Sequence, residues 1–201
     1  MGMYMNLVTI SDSNIQCIVE DPPLVWRIIA PEDHEVYEAE RAKEFRPTLL
    51  SRMFGHGQRE RHLVNLNLSS AEGISTDLDK AWHGIHYLLT RTAWKGVYPW
   101  SFLLNGGVTI GNVDMGYGPA RAFKSTETRE IYSALTTCSE DELTSRFDPK
   151  NMLDEQIYPE IWGRDPEEDD SLEYLLEYFQ ILRGYLQQAV DSNVGILVYV
   201  A

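Results

Sequence analysis

The sequence predicts an α+β fold: a single domain over residues 1–201 in which a largely antiparallel sheet packs against several helices. Three observations lead there. Apolar runs with no helix cap in front of them stand at both ends of the chain, over residues 3–10 and 194–200. A terminal strand needs a neighbour for its backbone groups, so the two ends are expected to pair. Over residues 170–191, Leu172, Leu175, Leu176, Phe179, Leu182, Leu186, Ala189 and Val190 fall on one stripe of 3.6-residue period, the mark of a long helix with one apolar face. Between these segments, helical and strand patterns do not alternate as strand–helix–strand units, so a parallel sheet is not indicated. At 201 residues and 43% apolar, the chain is long enough for one domain with a sizeable core.

Taken in order, residues 3–10 are apolar except for Asn6 and Thr9 and read as a buried strand. Ser11 or Asp12 caps a short helix carrying Ile15, Ile18 and Val19. Asp21-Pro22-Pro23 stops it before Leu24, Trp26 and Ile28. Residues 32–45 are charged and helix-favouring, with Pro47 as terminator. The stretch 41–61 holds six basic and two acidic residues around Gly55, His56 and Gly57, and predicts a mobile basic loop. Val64-Asn65-Leu66-Asn67-Leu68 alternates with period two, the pattern of a half-buried strand. Ser75 or Thr76 then opens a helix over 77–90. Residues 96–118 are rich in turn formers, with room for a short strand over 108–110. Ser125 caps a helix through Ile131 and Leu135. Ser139-Glu140-Asp141-Glu142 has the form of a capping box, and Asp148-Pro149 that of a cap followed by proline at the first helical position.

Composition narrows the function. A net charge of −14 with pI near 4.7 argues against a phosphate backbone as partner, so no nucleic acid is expected. Two cysteines, Cys17 and Cys138, allow at most one disulfide and fit a reducing, cytoplasmic setting. No Lys or Arg precedes Arg27, so the start lacks the charged region of a signal peptide. The uncharged stretch 96–113 contains Pro99, Gly106, Gly107 and Gly111, which would break a spanning helix, and no membrane is expected. Residues 139–191 hold 15 acidic and 4 basic side chains, a net of −11, against a net of −3 from 16 and 13 over residues 1–138. Solvated helix faces explain such an excess, and so does an acidic surface that meets a basic partner.

On a helix over 77–90, Leu78, Trp82, Ile85 and Leu89 share one stripe, while Asp79, His83, His86 and Thr90 share a second. Asp79, His83 and His86 have the spacing to hold a metal, but one helical face gives only three ligands, and no HExxH glutamate accompanies them. Histidines hydrogen-bonded at the core boundary are the simpler expectation. No metal and no cofactor are assigned. The segment from Gly116 through Tyr117, Gly118 and Pro119 to Arg121 lacks the third glycine of a dinucleotide fingerprint. Either it is a tight turn, or a loop whose Tyr117 and Arg121 bind an anionic or aromatic group. Cys17 reads as core packing, and the acids after Cys138 disfavour its thiolate. No catalytic residue is singled out. Tyr158-Pro159-Glu160-Ile161-Trp162 reads as a loop that packs aromatic rings onto the sheet or a pocket rim.

Together these segments resemble the YfbM-like family, a bacterial domain family of unknown function. The resemblance is carried by the Met1-Gly2-Met3 start, by Asp77-Leu78-Asp79-Lys80-Ala81-Trp82 with His86 four positions on, and by Leu89-Thr90. Gly116-Tyr117-Gly118-Pro119-Ala120-Arg121, Ile157-Tyr158-Pro159 and a long last helix followed by a terminal strand add to it. The chain departs from the pattern at Arg91, where a glycine is expected, at His83, which is less typical than His86, and in the length of the basic stretch 41–61. The resemblance implies an α+β fold and a bacterial cytoplasmic origin, and it implies no reaction.

Three functions compete at this point. The first is binding of a small molecule in a pocket lined by Trp82, His86, Tyr117, Arg121 and Tyr158, formed by the helix of Trp82 and His86 against the turn of Tyr117 and Arg121. The second is a non-enzymatic acidic interaction protein, of immunity or regulatory type, that docks a basic protein partner. The third is a metal-dependent hydrolase. Binding is expected rather than turnover.

Overall fold

The last strand of the chain is the middle strand of the sheet. The structure, a computed structural model, describes residues 2–44, 66–165, 167 and 170–201. Among these, β1 (Met5–Ile10), β2 (Ser75–Asp77), β3 (Val108–Thr109), β4 (Arg121–Phe123) and β5 (Gly195–Val200) form one sheet in the order β2-β1-β5-β4-β3. All four pairings are antiparallel. The predicted pairing of the two chain ends is present: Met5 lies opposite Val200, and Ile10 opposite Gly195. With β4 on its other side, β5 has both backbone edges satisfied, which an apolar terminal strand requires.

Both faces of the sheet are covered, which is why β1 and β5 read as nearly continuous apolar runs rather than as alternating ones. Successive residues of a strand point to opposite faces. Met5, Leu7, Phe123, Ile196 and Val198 enter one buried cluster, while Val8, Ile10, Ala122 and Leu197 enter another. The second cluster is closed by α1 (Asp12–Glu20), a 3₁₀ turn (Pro22–Val25), α2 (Trp26–Ile29) and α3 (His34–Glu44), through Ile15, Ile18, Leu24, Val25, Ile28 and Tyr37. The first is closed by α4 (Trp82–Thr90), α5 (Ser125–Thr136), α6 (Glu140–Arg146), α7 (Pro149–Asp154) and α8 (Ser171–Asp191). Leu175, Phe179, Leu182, Leu186 and Ala189 of the predicted stripe of α8 are all buried there. Among the described residues no helix is long and apolar enough to cross a membrane.

Caps behave largely as their side chains dictate. Ser11, Ser139, Asp148 and Asp170 each accept a hydrogen bond from a backbone N–H in the first turn of the helix that follows. The start of α5 differs from expectation. Its N-cap is Lys124, not Ser125, and the oxygens of Asp12 accept from Ser125 N (2.7 Å) and Ser125 Oγ (2.9 Å). A carboxylate on the first turn of α1 thus completes the start of a helix more than a hundred residues later and ties the two layers together.

Three further expectations are corrected. Asp77 belongs to β2, paired with Asn6, so the helix expected from 77 begins at Trp82. Leu66, Asn67 and Leu68 form no strand, because β2 takes the free edge of β1; Val64 and Asn65 lie outside the described residues. Of the stretch 41–61, residues 41–44 close α3, and the remainder lies outside the described residues.

Replacing Asp12 with Ala should cost about 1 kcal/mol, the usual worth of a lost helix cap. Urea denaturation reads it as a lower midpoint at unchanged slope. An unchanged midpoint would show that the link between α1 and α5 adds nothing.

Candidate functional site

The polar stripe of α4 faces inward. His83 and His86 are both 0% exposed. Burial of an imidazole is tolerable when it is neutral and its nitrogens are paired. For His83 both conditions hold: Nε2–H donates to the Ala93 carbonyl (2.7 Å), and Nδ1 accepts from the Tyr158 amide (3.0 Å). The carbonyl can only accept, so the network assigns the Nε2–H tautomer. His86 Nε2–H donates to the Lys95 carbonyl (3.1 Å), while its Nδ1 is buried without a partner among the described residues. Burial holds the His83 imidazole below its ordinary 6.5, against the opposing pull of the Ala93 carbonyl. Burial above all brings His86 down to about 4; protonation would also set it against His83 and the Arg121 cation, with the Lys95 carbonyl opposing.

Rings stack around this pair. Trp82 lies on His83 (centroids 5.0 Å) and on Tyr158 (5.8 Å), and Trp94 covers His83 at 4.3 Å. Trp82 Nε1 donates to the Met3 carbonyl, and the Tyr158 hydroxyl accepts from the Met3 amide. Trp162, in the same loop as Tyr158, is buried and bonded to the Ile157 carbonyl, as expected for a loop that packs its aromatic rings inward.

Arg121, on β4, sends its guanidinium to the carbonyls of Phe102 (2.9 Å), Leu103 (2.5 Å) and Gly106 (3.0 Å). Burial lowers it to about 10, so it stays cationic at neutral pH. It closes the loop between α4 and β3 from beneath, as the two histidines do from the side.

Of the five pocket residues expected from sequence, Trp82 and Tyr158 meet by ring stacking, while His86 and Arg121 each bond carbonyls of the loop between α4 and β3. Tyr117 stands apart. Its side chain is 50% exposed, its amide bonds Val200 O, and no hydrogen bond or ring contact among the described residues joins its side chain to the other four. Asp79 is likewise off the helix, at φ 44°, with its carboxylate accepting from the Tyr174 hydroxyl (2.8 Å). Among the described residues no group of three or more His, Cys, Asp or Glu is placed to hold a metal. An open groove of about 530 Å³ lies elsewhere, between α1 and β3, lined by Asp12, Ile15, Val19, Val108 and Lys124 among others.

Sequence reasoning missed the segment after α4. Arg91 ends that helix at φ 60°, with its amide bonded to Tyr87 O, a left-handed position that glycine reaches without Cβ strain. The glycine expected there would adopt this conformation freely, whereas Arg91 carries its Cβ into it. Beyond it, Trp94, Val97 and Tyr98 are 60%, 76% and 36% exposed. Their only signal in the sequence is three large apolar side chains within five residues of a turn-rich stretch.

The histidines make a pH prediction. A base whose folded pKa lies below its unfolded value binds fewer protons when native, so stability falls as pH drops from 6.5 toward 4. For His86 the full loss is about 3 kcal/mol, and His83 adds in the same direction. Glu72 titrates lower. Burial would raise it, but donors from Ser69, Ser11 and Asn14 hold it at about 2, so its contribution disappears only below the ordinary 4.5. Urea midpoints between pH 7.5 and pH 5 should therefore fall for the natural chain and fall less for His86→Gln, which keeps a donor toward Lys95 without titrating. Equal pH slopes would contradict the assignment.

Comparison with known proteins agrees with this architecture. The crystal structure of a protein of unknown function, YfbM from Escherichia coli, is similar with a TM-score of 0.61 at 15% identity, covering 98% of this chain and 99% of that one. At that identity the likeness speaks for the fold alone. No curated protein matches the chain. The model of a family described as a domain of unknown function (DUF1877) matches residues 1–199, and the chain belongs to that family.

Proposed function

We propose that this protein works by docking, as a non-enzymatic domain that receives a basic protein partner. The observation that carries this is the division of labour between inside and outside. Side chains able to do chemistry are engaged by the fold itself: His83 by Ala93 and Tyr158, Arg121 by three carbonyls, and Trp82 by Met3. The outward surface is most densely acidic over residues 139–191, which carry a net of −11. α6, α7, α8 and the turns between them bury Leu143, Met152 and Leu175, and expose Asp141, Asp154, Glu155, Glu160, Asp165, Glu173 and Glu177. Two of the four basic residues in this stretch are tied down locally, Arg146 on Glu142 and the Leu88 carbonyl, and Arg183 over the Phe179 ring. A field of this sign speeds encounter with cationic surfaces and disfavours anionic ones.

One observation favours small-molecule binding instead. Among the described residues, His86 Nδ1 is a buried acceptor without a donor. A ligand there would bring an N–H or O–H to that nitrogen.

Calorimetric titration separates the two. The probe is a short synthetic peptide of alternating arginine and leucine, with its glutamate–leucine counterpart as control. Docking predicts binding of the arginine peptide only, weakened about tenfold on raising the salt to physiological strength. Equal binding of both peptides, or of neither, contradicts it. A metabolite that raises the melting temperature of the natural chain but not of His86→Gln would favour the pocket.

A further inference from the structure

Single exposed apolar side chains are ordinary, but a contiguous group on a rigid support marks an interaction site. Trp94, Val97 and Tyr98 stand within five residues of one braced turn and all three are exposed. Their turn is held at successive points. His83 binds the Ala93 carbonyl, Asn105 Nδ2 binds the Trp94 carbonyl, and His86 and Thr92 bind that of Lys95. The Trp94 ring rests against the buried His83 ring and leaves the rest of its surface in water. Tyr98 donates its hydroxyl to the Glu127 carbonyl, and the carboxylates of Glu127 and Glu130 lie close enough to join burial in raising its pKa. An indole fixed in this way contributes contact area at small entropic cost, as binding hot spots do.

We propose that the 93–98 turn is the docking point for the basic partner, with an arginine side chain of that partner stacked on the Trp94 indole and an apolar neighbour packed on Val97 and Tyr98. This rests on the docking function proposed above and adds where the partner sits and what it presents. Charge selects the occupant. A second copy would bring together two chains of −14 each, whereas a cationic segment meets Glu127 and Glu130 at the edge of the patch and the negative field of the whole chain. Lys95 and Arg91 lie in the same turn, so the attraction for a cationic segment has to come from Glu127, Glu130 and the net charge of the chain. Arginine is preferred over lysine because a planar guanidinium stacks on an indole face.

The test uses the full chain and the arginine–leucine peptide, with a lysine–leucine peptide beside it. Val97→Ser should leave the melting temperature unchanged, since that side chain is exposed, whereas Trp94→Ala uncovers His83 and should lower it slightly while weakening arginine-peptide binding about tenfold or more. The lysine peptide should bind the natural chain more weakly than the arginine peptide. A third variant carries Asp141→Asn, Glu155→Gln, Glu173→Gln and Glu177→Gln. If it abolishes binding while Trp94→Ala and Val97→Ser do not, docking stands and the turn is the wrong place. If the arginine peptide fails to bind the natural chain at all, both proposals fall. Equal affinity for the two peptides overturns the stacked arginine. Sedimentation showing a dimer that Trp94→Ala dissolves assigns the turn to a second copy and overturns the basic partner.

Discussion

Two imidazoles placed in the core on one side of α4 constrain much of what surrounds them. A charged ring there would stand without solvent, so His83 and His86 are held neutral, and a neutral ring with one N–H needs one fixed acceptor. Both find it in the same short segment, at Ala93 and Lys95. The chain beyond α4 is therefore drawn back over the helix, where Trp94 closes over His83. The reversal begins at Arg91, in a conformation that costs a residue with a side chain roughly 1 kcal/mol. Arg121 fixes the far end of the same excursion through Phe102, Leu103 and Gly106. His86 and Arg121, which the sequence offers as pocket lining, bond the backbone of a surface loop in the fold, and His83 does the same.

The sheet makes this possible by burying both faces. Its first and last strands lie side by side, so the sequence-distant segments at Met3 and Tyr158 meet beside Trp82. The helices on that side spend their apolar residues on the core and turn their acids outward, which gives the molecule an interior occupied by its own structure and an exterior of pronounced charge. The proposed docking function follows from that separation.

Much of the fold was legible because its signals are local or nearly so. The apolar runs at the two ends, the stripe of α8 and the caps at Ser11, Ser139, Asp148 and Asp170 each follow from side-chain chemistry within a few residues. The misreadings lie where a distant partner decided. Asp77-Leu78-Asp79-Lys80 suits a first helical turn, but the free edge of β1 recruits Asp77 into β2. Ser125 has the chemistry of a cap, yet Asp12 supplies the acceptor and moves the boundary by one residue. Leu66-Asn67-Leu68 alternates in sequence, yet Leu66 leans on the core while Leu68 is exposed, so the two leucines do not share the one face that a strand would give them. At the candidate site, the proximity of His83 and His86 was legible from helical spacing. Their removal from solvent was not, since it depends on the loop after α4, whose path no local pattern encodes. Tyr117 and Arg121, four positions apart, read in the sequence as one feature. The backbone sends Arg121 into β4 and leaves Tyr117 at the end of β5, half in water.

The tautomer and charge of the two imidazoles can be read directly from long-range ¹H–¹⁵N correlation of their ring nitrogens. At a pH near 5.5, where an ordinary histidine is mostly cationic, His83 and His86 should both give the pattern of a neutral ring protonated at Nε2. Either ring found doubly protonated there, or neutral with its proton on Nδ1, would contradict the account of how this loop is held.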